Sequence, residues 1–201
     1  MTKTSLGIRV KSGWASAILL TLRRQAPQFL LRRRLLLADP KVPQSSQPYH
    51  HGFGRLEKNP VILGRLTRIV SATTTRSLSA LIAECHKLGY MPGAVALVVG
   101  STVDPGHITS EHIRAHALEA QLFRTALAQA AARLELEVIV IRERDLPALV
   151  RKVLGQHAAA EVAELRQVAG PPWRADEKLA TLAAWTVAAR GRPASGRAAT
   201  A

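Results

Sequence analysis

Two histidines and a glutamate are spaced for joint chemistry in Glu111-His112-Ile113-Arg114-Ala115-His116-Ala117-Leu118-Glu119. On a helix, at about 100° per residue, His112, His116, Glu119 and Phe123 fall within roughly 60° of one another. Two imidazoles at i and i+4, with a carboxylate one turn on, can chelate a transition metal. The spacing is not that of His-Glu-x-x-His, because Glu111 precedes the first histidine. A further ligand can come from His50 or His51, or from Asp176. His112, His116, Glu119 and Asp176 are therefore catalytic candidates, and the first three are also candidate ligands for a divalent metal cofactor. The plainer account makes His112 and His116 helix-surface residues, with Glu119 pairing to one of them. The apolar stripe Ile113, Ala117, Ala120, Leu127 and Ala131 lies beside this face.

A second group has the chemistry of nucleic-acid binding. Tyr49-His50-His51-Gly52-Phe53-Gly54-Arg55 mixes aromatic, imidazole and guanidinium groups that stack on bases and bind phosphates. Arg32, Arg33 and Arg34, with Arg23 and Arg24, can form a stripe for a phosphate backbone. The candidate interface is thus Arg23, Arg24, Arg32, Arg34, Tyr49, His50 and Arg55, and the candidate partner is RNA or DNA. The opposing account is an ordinary exposed loop and a solvated strand face. Arg142-Glu143-Arg144-Asp145 follows a strand, where open sheets often bind ligands, although internal charge pairing explains it more simply.

The charge balance favours a polyanion. The net charge is +14, and residues 1–90 hold 15 Lys and Arg against three Asp and Glu, whereas residues 91–201 hold 13 against 11. Such a surface attracts phosphate backbones. No apolar run approaches the roughly 20 residues that span a bilayer, so no membrane role is expected. Cys85 is the single cysteine, which excludes an internal disulfide and a thiolate zinc cluster and fits the reducing cytoplasm. No serine lies in a nucleophile elbow. The basic start of the chain also has the composition of a transit peptide, but it reads better as strands.

The elements that would position these groups follow from periodicity. Leu6, Ile8 and Val10 alternate with Gly7, Arg9 and Lys11 as in a half-buried strand. Trp14–Leu22 and Phe29–Leu37 complete a three-stranded antiparallel meander, in which Arg32 and Arg34 share a face and Arg33 takes the other. Residues 38–69 read as a long loop. Leu78, Leu81, Ile82 and Cys85 mark a helix between Ser71 and Leu88. Gly93–Gly100 and Leu136–Ile141 read as buried strands on either side of a helix that starts after Ser110. Helices are expected near 147–155, 159–168 and 175–189. The last is introduced by Gly170-Pro171-Pro172-Trp173, and Trp173 and Trp185 act as core anchors. The expectation is one domain over 1–189, with the long loop at 38–69 and a mobile tail at 190–201.

This order, strand–strand–strand–helix–strand–helix–strand–helix, resembles the ribonuclease H-like superfamily over roughly residues 5–189. The resemblance implies an α/β fold: a mixed five-stranded sheet, with the meander plus two parallel strands, flanked by helices. It also implies a nuclease centre of carboxylates from the first strand, the fourth strand and a late helix, holding two Mg²⁺ ions. The chain departs from that pattern. The first strand offers Arg9 and Lys11 where an acid is expected, the fourth strand has only Asp104 nearby, and the late helix alone matches, with Asp176 and Glu177 at its start.

Three functions remain open on these residues. The first is a nucleic-acid-binding ribonuclease H-like protein lacking the usual first-strand acid. The second is a metal-dependent nuclease or phosphoesterase with a relocated His/Glu/Asp site. The third is a non-catalytic scaffold. The sequence does not set the oligomeric state.

Overall fold

The structure is a computed structural model that describes residues 4–52 and 54–190. Strands β1 (Thr4–Lys11), β2 (Trp14–Arg23) and β3 (Ala26–Leu36) form the expected antiparallel meander. The β2–β3 turn is tighter than the sequence indicated. Arg24 and Gln25 alone make it, with φ of 51° and 73°, the left-handed pair whose twist matches a two-residue hairpin. The strand therefore resumes at Ala26 and carries Pro27, which an edge strand tolerates. Opposite Leu19 and Leu20 the partner residues jump from Leu31 to Phe29, so Leu30 is an extra residue in the ladder.

The stretch expected as a long loop is half structured. It contains a 3₁₀ turn (Pro43–Ser46) and a small hairpin, β4 (His50–His51) with β5 (Arg55–Leu56). Helix α1 then begins at Pro60 and runs to Lys87, so residues 60–69 are helical rather than loop. The reason is local. The Asn59 side chain accepts hydrogen bonds from the Val61 and Ile62 amides at 2.9 and 3.3 Å, and Pro60 occupies the first helical position, where no amide is needed. Asn59→Ala should lower stability by about 1 kcal/mol in denaturant unfolding, with the loss confined to the unfolding midpoint.

Strand β6 (Pro92–Val99), helix α2 (Glu111–Arg133) and strand β7 (Glu137–Arg142) follow. The sheet order is β3-β2-β1-β6-β7, and β1, β6 and β7 run parallel. The fold is thus the expected mixed five-stranded sheet. Short helices α3 (Leu146–Leu154), α4 (Ala158–Glu164) and α5 (Arg166–Ala169) lead to α6 (Ala175–Arg190). The tail expected to be mobile lies outside the described residues beyond Arg190. No described helix is long and apolar enough to cross a membrane.

The alternation of β1 divides the core in two. Leu6, Ile8 and Val10 face α1 and α2, meeting Val70, Leu78, Phe123 and Leu127. The other face of the sheet, with Ile18, Leu20, Ala96 and Val98, packs on α6 through Ala180, Ala183, Ala184 and Trp185. Helix α6 lies so close to β1 that a Cβ on Gly7 would sit 1.9 Å from the Ala180 carbonyl oxygen. Trp173 and Trp185 are buried as expected, and each indole N–H finds a carbonyl: Val162 at 2.9 Å and Gln25 at 3.2 Å.

Candidate functional site

The parallel strands end together, and open sheets commonly place ligands at that edge. Arg9, near the end of β1, points to the α6 face because it alternates with Ile8 and Val10. It is 5 % exposed. One guanidinium nitrogen bonds Glu143, which follows β7, and Nε lies 3.7 Å from Asp176 at the start of α6. A second nitrogen donates to the carbonyl of Val10 at 2.9 Å and reaches that of Val98 at 3.4 Å. Lys11 adds a second cation to Asp176, at 3.3 Å. The carboxylates that gather here are therefore already neutralised by the chain itself. A two-cation centre does not fit these residues: the position of the expected acid holds a guanidinium, which bonds one oxygen of Glu143 and stands 3.7 Å from Asp176.

Glu177, the neighbour of Asp176, has a structural post. It sits at the third position of α6 and accepts the backbone N–H of Arg174 at 2.8 Å, the reciprocal half of a capping box. Its other oxygen accepts from Ser16 Oγ at 3.2 Å. Beside this pair opens a cleft of about 430 Å³ lined by Trp14, Ser16, Arg32, Arg34, Arg174 and Asp176. The Arg34 guanidinium lies over the Trp14 ring, 3.9 Å from its centroid. Arg174 also lines the adjoining hollow, with Arg166 and Lys178.

The arginines expected as one stripe have separate fates. Arg32 and Arg34 do share the α6 face, but Arg32 is committed internally, bonding the carbonyls of Gly170 and Pro171 at 3.0 Å each and that of Pro172. Arg33, on the other face, bonds Glu84 of α1. Arg23 and Arg24 are exposed at the β2–β3 turn. Arg34 lies eight residues along β3 from Ala26, roughly 26 Å away at the strand rise. The two arginine pairs therefore stand at opposite ends of the hairpin. Tyr49, His50 and Arg55 belong to neither end; they sit in and around the β4–β5 hairpin on α2. Arg55 is exposed there, whereas Tyr49 is half-buried and its hydroxyl is pushed up by burial and by the nearby Glu119 charge.

That hairpin creates the second polar centre. His50 Nδ1 lies 2.7 Å from Glu119 Oε1, and the Glu119 side chain is fully buried. His116 Nδ1 lies 3.9 Å from the other carboxylate oxygen, and His116 Nε2 is 3.2 Å from His112 Nε2. The three imidazole rings form a triangle, with centroids 4.4, 4.5 and 5.3 Å apart. Burial pushes the Glu119 carboxyl up, opposed by its hydrogen bond to His50. Burial, helped by repulsion from the other two imidazoles, holds His116 below the usual histidine range. His51 turns away and pairs with Glu57 at 3.0 Å. Phe53, part of the segment singled out in the sequence, lies outside the described residues.

The structure thus unites His112, His116 and Glu119 as their spacing indicates, and adds His50. It does not bring Asp176 to them. Glu119 belongs to α2 on one face of the sheet, while Asp176 is engaged with Arg9 and Lys11 on the other. The four-residue His112/His116/Glu119/Asp176 group does not form. Arg174 and Lys178 were missed because only the folded start of α6 sets Arg174 beside the β3 arginines and Lys178 in the adjoining hollow.

No family model matches the sequence, and no curated protein is similar to it in sequence. Solved structures are similar in fold. Thermus thermophilus RuvC aligns with a TM-score of 0.54 at 12 % identity, covering 91 % of this chain and 92 % of that one. The same T. thermophilus protein in complex with a Holliday junction substrate aligns with a TM-score of 0.54 at 13 % identity, over 92 % and 91 %. The yeast mitochondrial Holliday junction resolvase Ydc2 is more distant, with a TM-score of 0.47 at 13 % identity, over 94 % and 77 %. At these identities the likeness is one of fold, which is ribonuclease H-like.

Proposed function

We propose that this chain is a nucleic-acid-binding protein of ribonuclease H-like fold in which an internal guanidinium has replaced two-metal chemistry. The observation that carries this reading is Arg9, buried against Glu143 and against Asp176, which also lines the Arg34–Arg174 cleft. A guanidinium supplies fixed positive charge, but it has no open coordination position and cannot activate a water as a bound metal does. What remains at that edge is recognition. Arg34 held over the Trp14 ring offers a preorganised fork for phosphate oxygens, and Arg174 and Lys178 extend the positive charge along the start of α6. The similarity of fold to a resolvase seen with a junction makes a four-way DNA junction the first probe to try.

Binding to labelled four-way junctions, duplex DNA, single strands and RNA, measured by fluorescence anisotropy, should fall steeply with salt. The triple variant Arg34→Ala/Arg174→Ala/Lys178→Ala should flatten the slope of log K against log salt by about 3, one contact per removed charge. Arg23→Ala/Arg24→Ala should change it less. Absence of affinity for every probe at low salt, or an unchanged slope in the triple variant, would overturn the proposal.

A further inference from the structure

The histidine triangle lies away from the basic cleft, on the other face of the sheet, and the nucleic-acid reading makes no use of it. From its geometry we infer that His50, His112 and His116 form a binding site for a first-row transition metal of the zinc type, with Glu119 as the positioning residue behind His50.

One nitrogen of each ring lies within 4.8 Å of the other two. Nitrogens bound at about 2.0–2.1 Å to one tetrahedral cation stand roughly 3.3–3.4 Å apart. The His112 and His116 Nε2 atoms, at 3.2 Å, already have that separation. The two edges to His50, each within 4.8 Å, would close by a small movement of the β4–β5 hairpin.

The tautomer of His50 is set from behind. Glu119 Oε1, 2.7 Å from Nδ1, is placed to accept from an Nδ1–H imidazole, the tautomer in which Nε2 carries the lone pair. This is the carboxylate–histidine arrangement that orients metal ligands in general. His50 Nε2 is buried and has no hydrogen-bond partner among the described residues. A buried acceptor left without a donor is costly, and a cation would satisfy it.

The chain also makes room for the site. Gly54 has φ of 78°, and a Cβ there would lie 2.9 Å from His112 Nδ1, so a glycine lets the hairpin approach the helix. The triangle opens on a pocket of about 440 Å³ formed with the 3₁₀ turn at Pro43, Gln44 and Ser46. Three imidazoles with an open fourth position are the donor set of zinc, cobalt, nickel or copper, and are unsuited to magnesium or calcium.

The test uses the full chain and the metals Zn²⁺ and Co²⁺ alone. Competition against a chromogenic chelator should give one equivalent bound, and Co²⁺ should develop the visible absorption of a four-coordinate site. His112→Ala, at an exposed position, should remove this site with the circular dichroism unchanged. Glu119→Gln should weaken binding roughly ten- to hundred-fold while keeping the Co²⁺ spectrum. His50→Ala separates a three-ligand site from a two-histidine helix surface: affinity equal to that of the unaltered chain would overturn the inference. Because His50 is half-buried, X-ray absorption of the unaltered Zn²⁺-loaded protein is read alongside. Three imidazoles support the site; two or fewer, or less than one equivalent bound, overturn it.

Discussion

Gly7→Ala is expected to destabilise this protein by more than about 3 kcal/mol, beyond the usual cost of an overpacked core. The added Cβ would stand 1.9 Å from the Ala180 carbonyl oxygen, 2.8 Å from its carbon and 3.0 Å from Ala184 Cβ. The first two are backbone atoms, so no rotamer change relieves the contact. Either α6 lifts away from β1, or β1 shifts against both β2 and β6, with which it pairs. Native domains are stable by only about 5–15 kcal/mol, so the same argument predicts that Gly7→Val does not fold. Denaturant unfolding measures the loss for Gly7→Ala, and amide hydrogen exchange should show it as lost protection in β1 and α6. A change below about 0.5 kcal/mol would mean that the helix does not sit as described.

The second large effect is expected at Arg9. Arg9→Asp places three carboxylates where one guanidinium now joins two. Breaking a buried pair costs about 3–5 kcal/mol when the remaining charge is stranded. Here the Glu143 side chain is 43 % exposed and that of Asp176 is 23 % exposed, so solvent offsets part of the penalty and the lower end applies. The variant should also acquire a property that the natural chain lacks at this place. Three clustered carboxylates suit a hard divalent cation, so Mg²⁺ should restore stability, by about 2.7 kcal/mol at a hundred-fold excess over Kd. The unaltered protein should show no such Mg²⁺ response. Equal stability of Arg9→Asp and the natural chain, with no gain from Mg²⁺, would remove the basis for a guanidinium-filled centre.

The vacancy of an acid at Arg9 was legible in the sequence; its neutralising role was not. Alternation of Leu6, Ile8 and Val10 was enough to place Arg9 on the opposite face. That Glu143 and Asp176 meet it depends on β7 and α6 ending at the same edge, a contact across 134 and 167 positions that no local pattern carries. The strands read well because their period of two survives in short windows. The first turns of α1 did not, since Val61, Ile62 and Gly64 break the helical stripe, although Asn59-Pro60 was a usable start signal. In the histidine cluster the i, i+4 spacing found His112 and His116. The placing of His50 came instead from a hairpin whose strands have two residues each, too few to show any period.

The two borders of the sheet are guarded unequally. Along β3 stand Pro27, the extra residue Leu30 and three arginines, one of which closes on its neighbour's own carbonyl. Along β7, Val138, Ile139, Val140 and Ile141 form an aliphatic rim, with charges only at its ends and Val140 44 % exposed. Among the described residues, β7 is thus the less guarded margin of this sheet for an incoming ribbon of backbone. Should two molecules join rim to rim, each would cover the less guarded margin of its five-stranded sheet, and assembly along that sheet would stop at a closed pair instead of extending into a fibre.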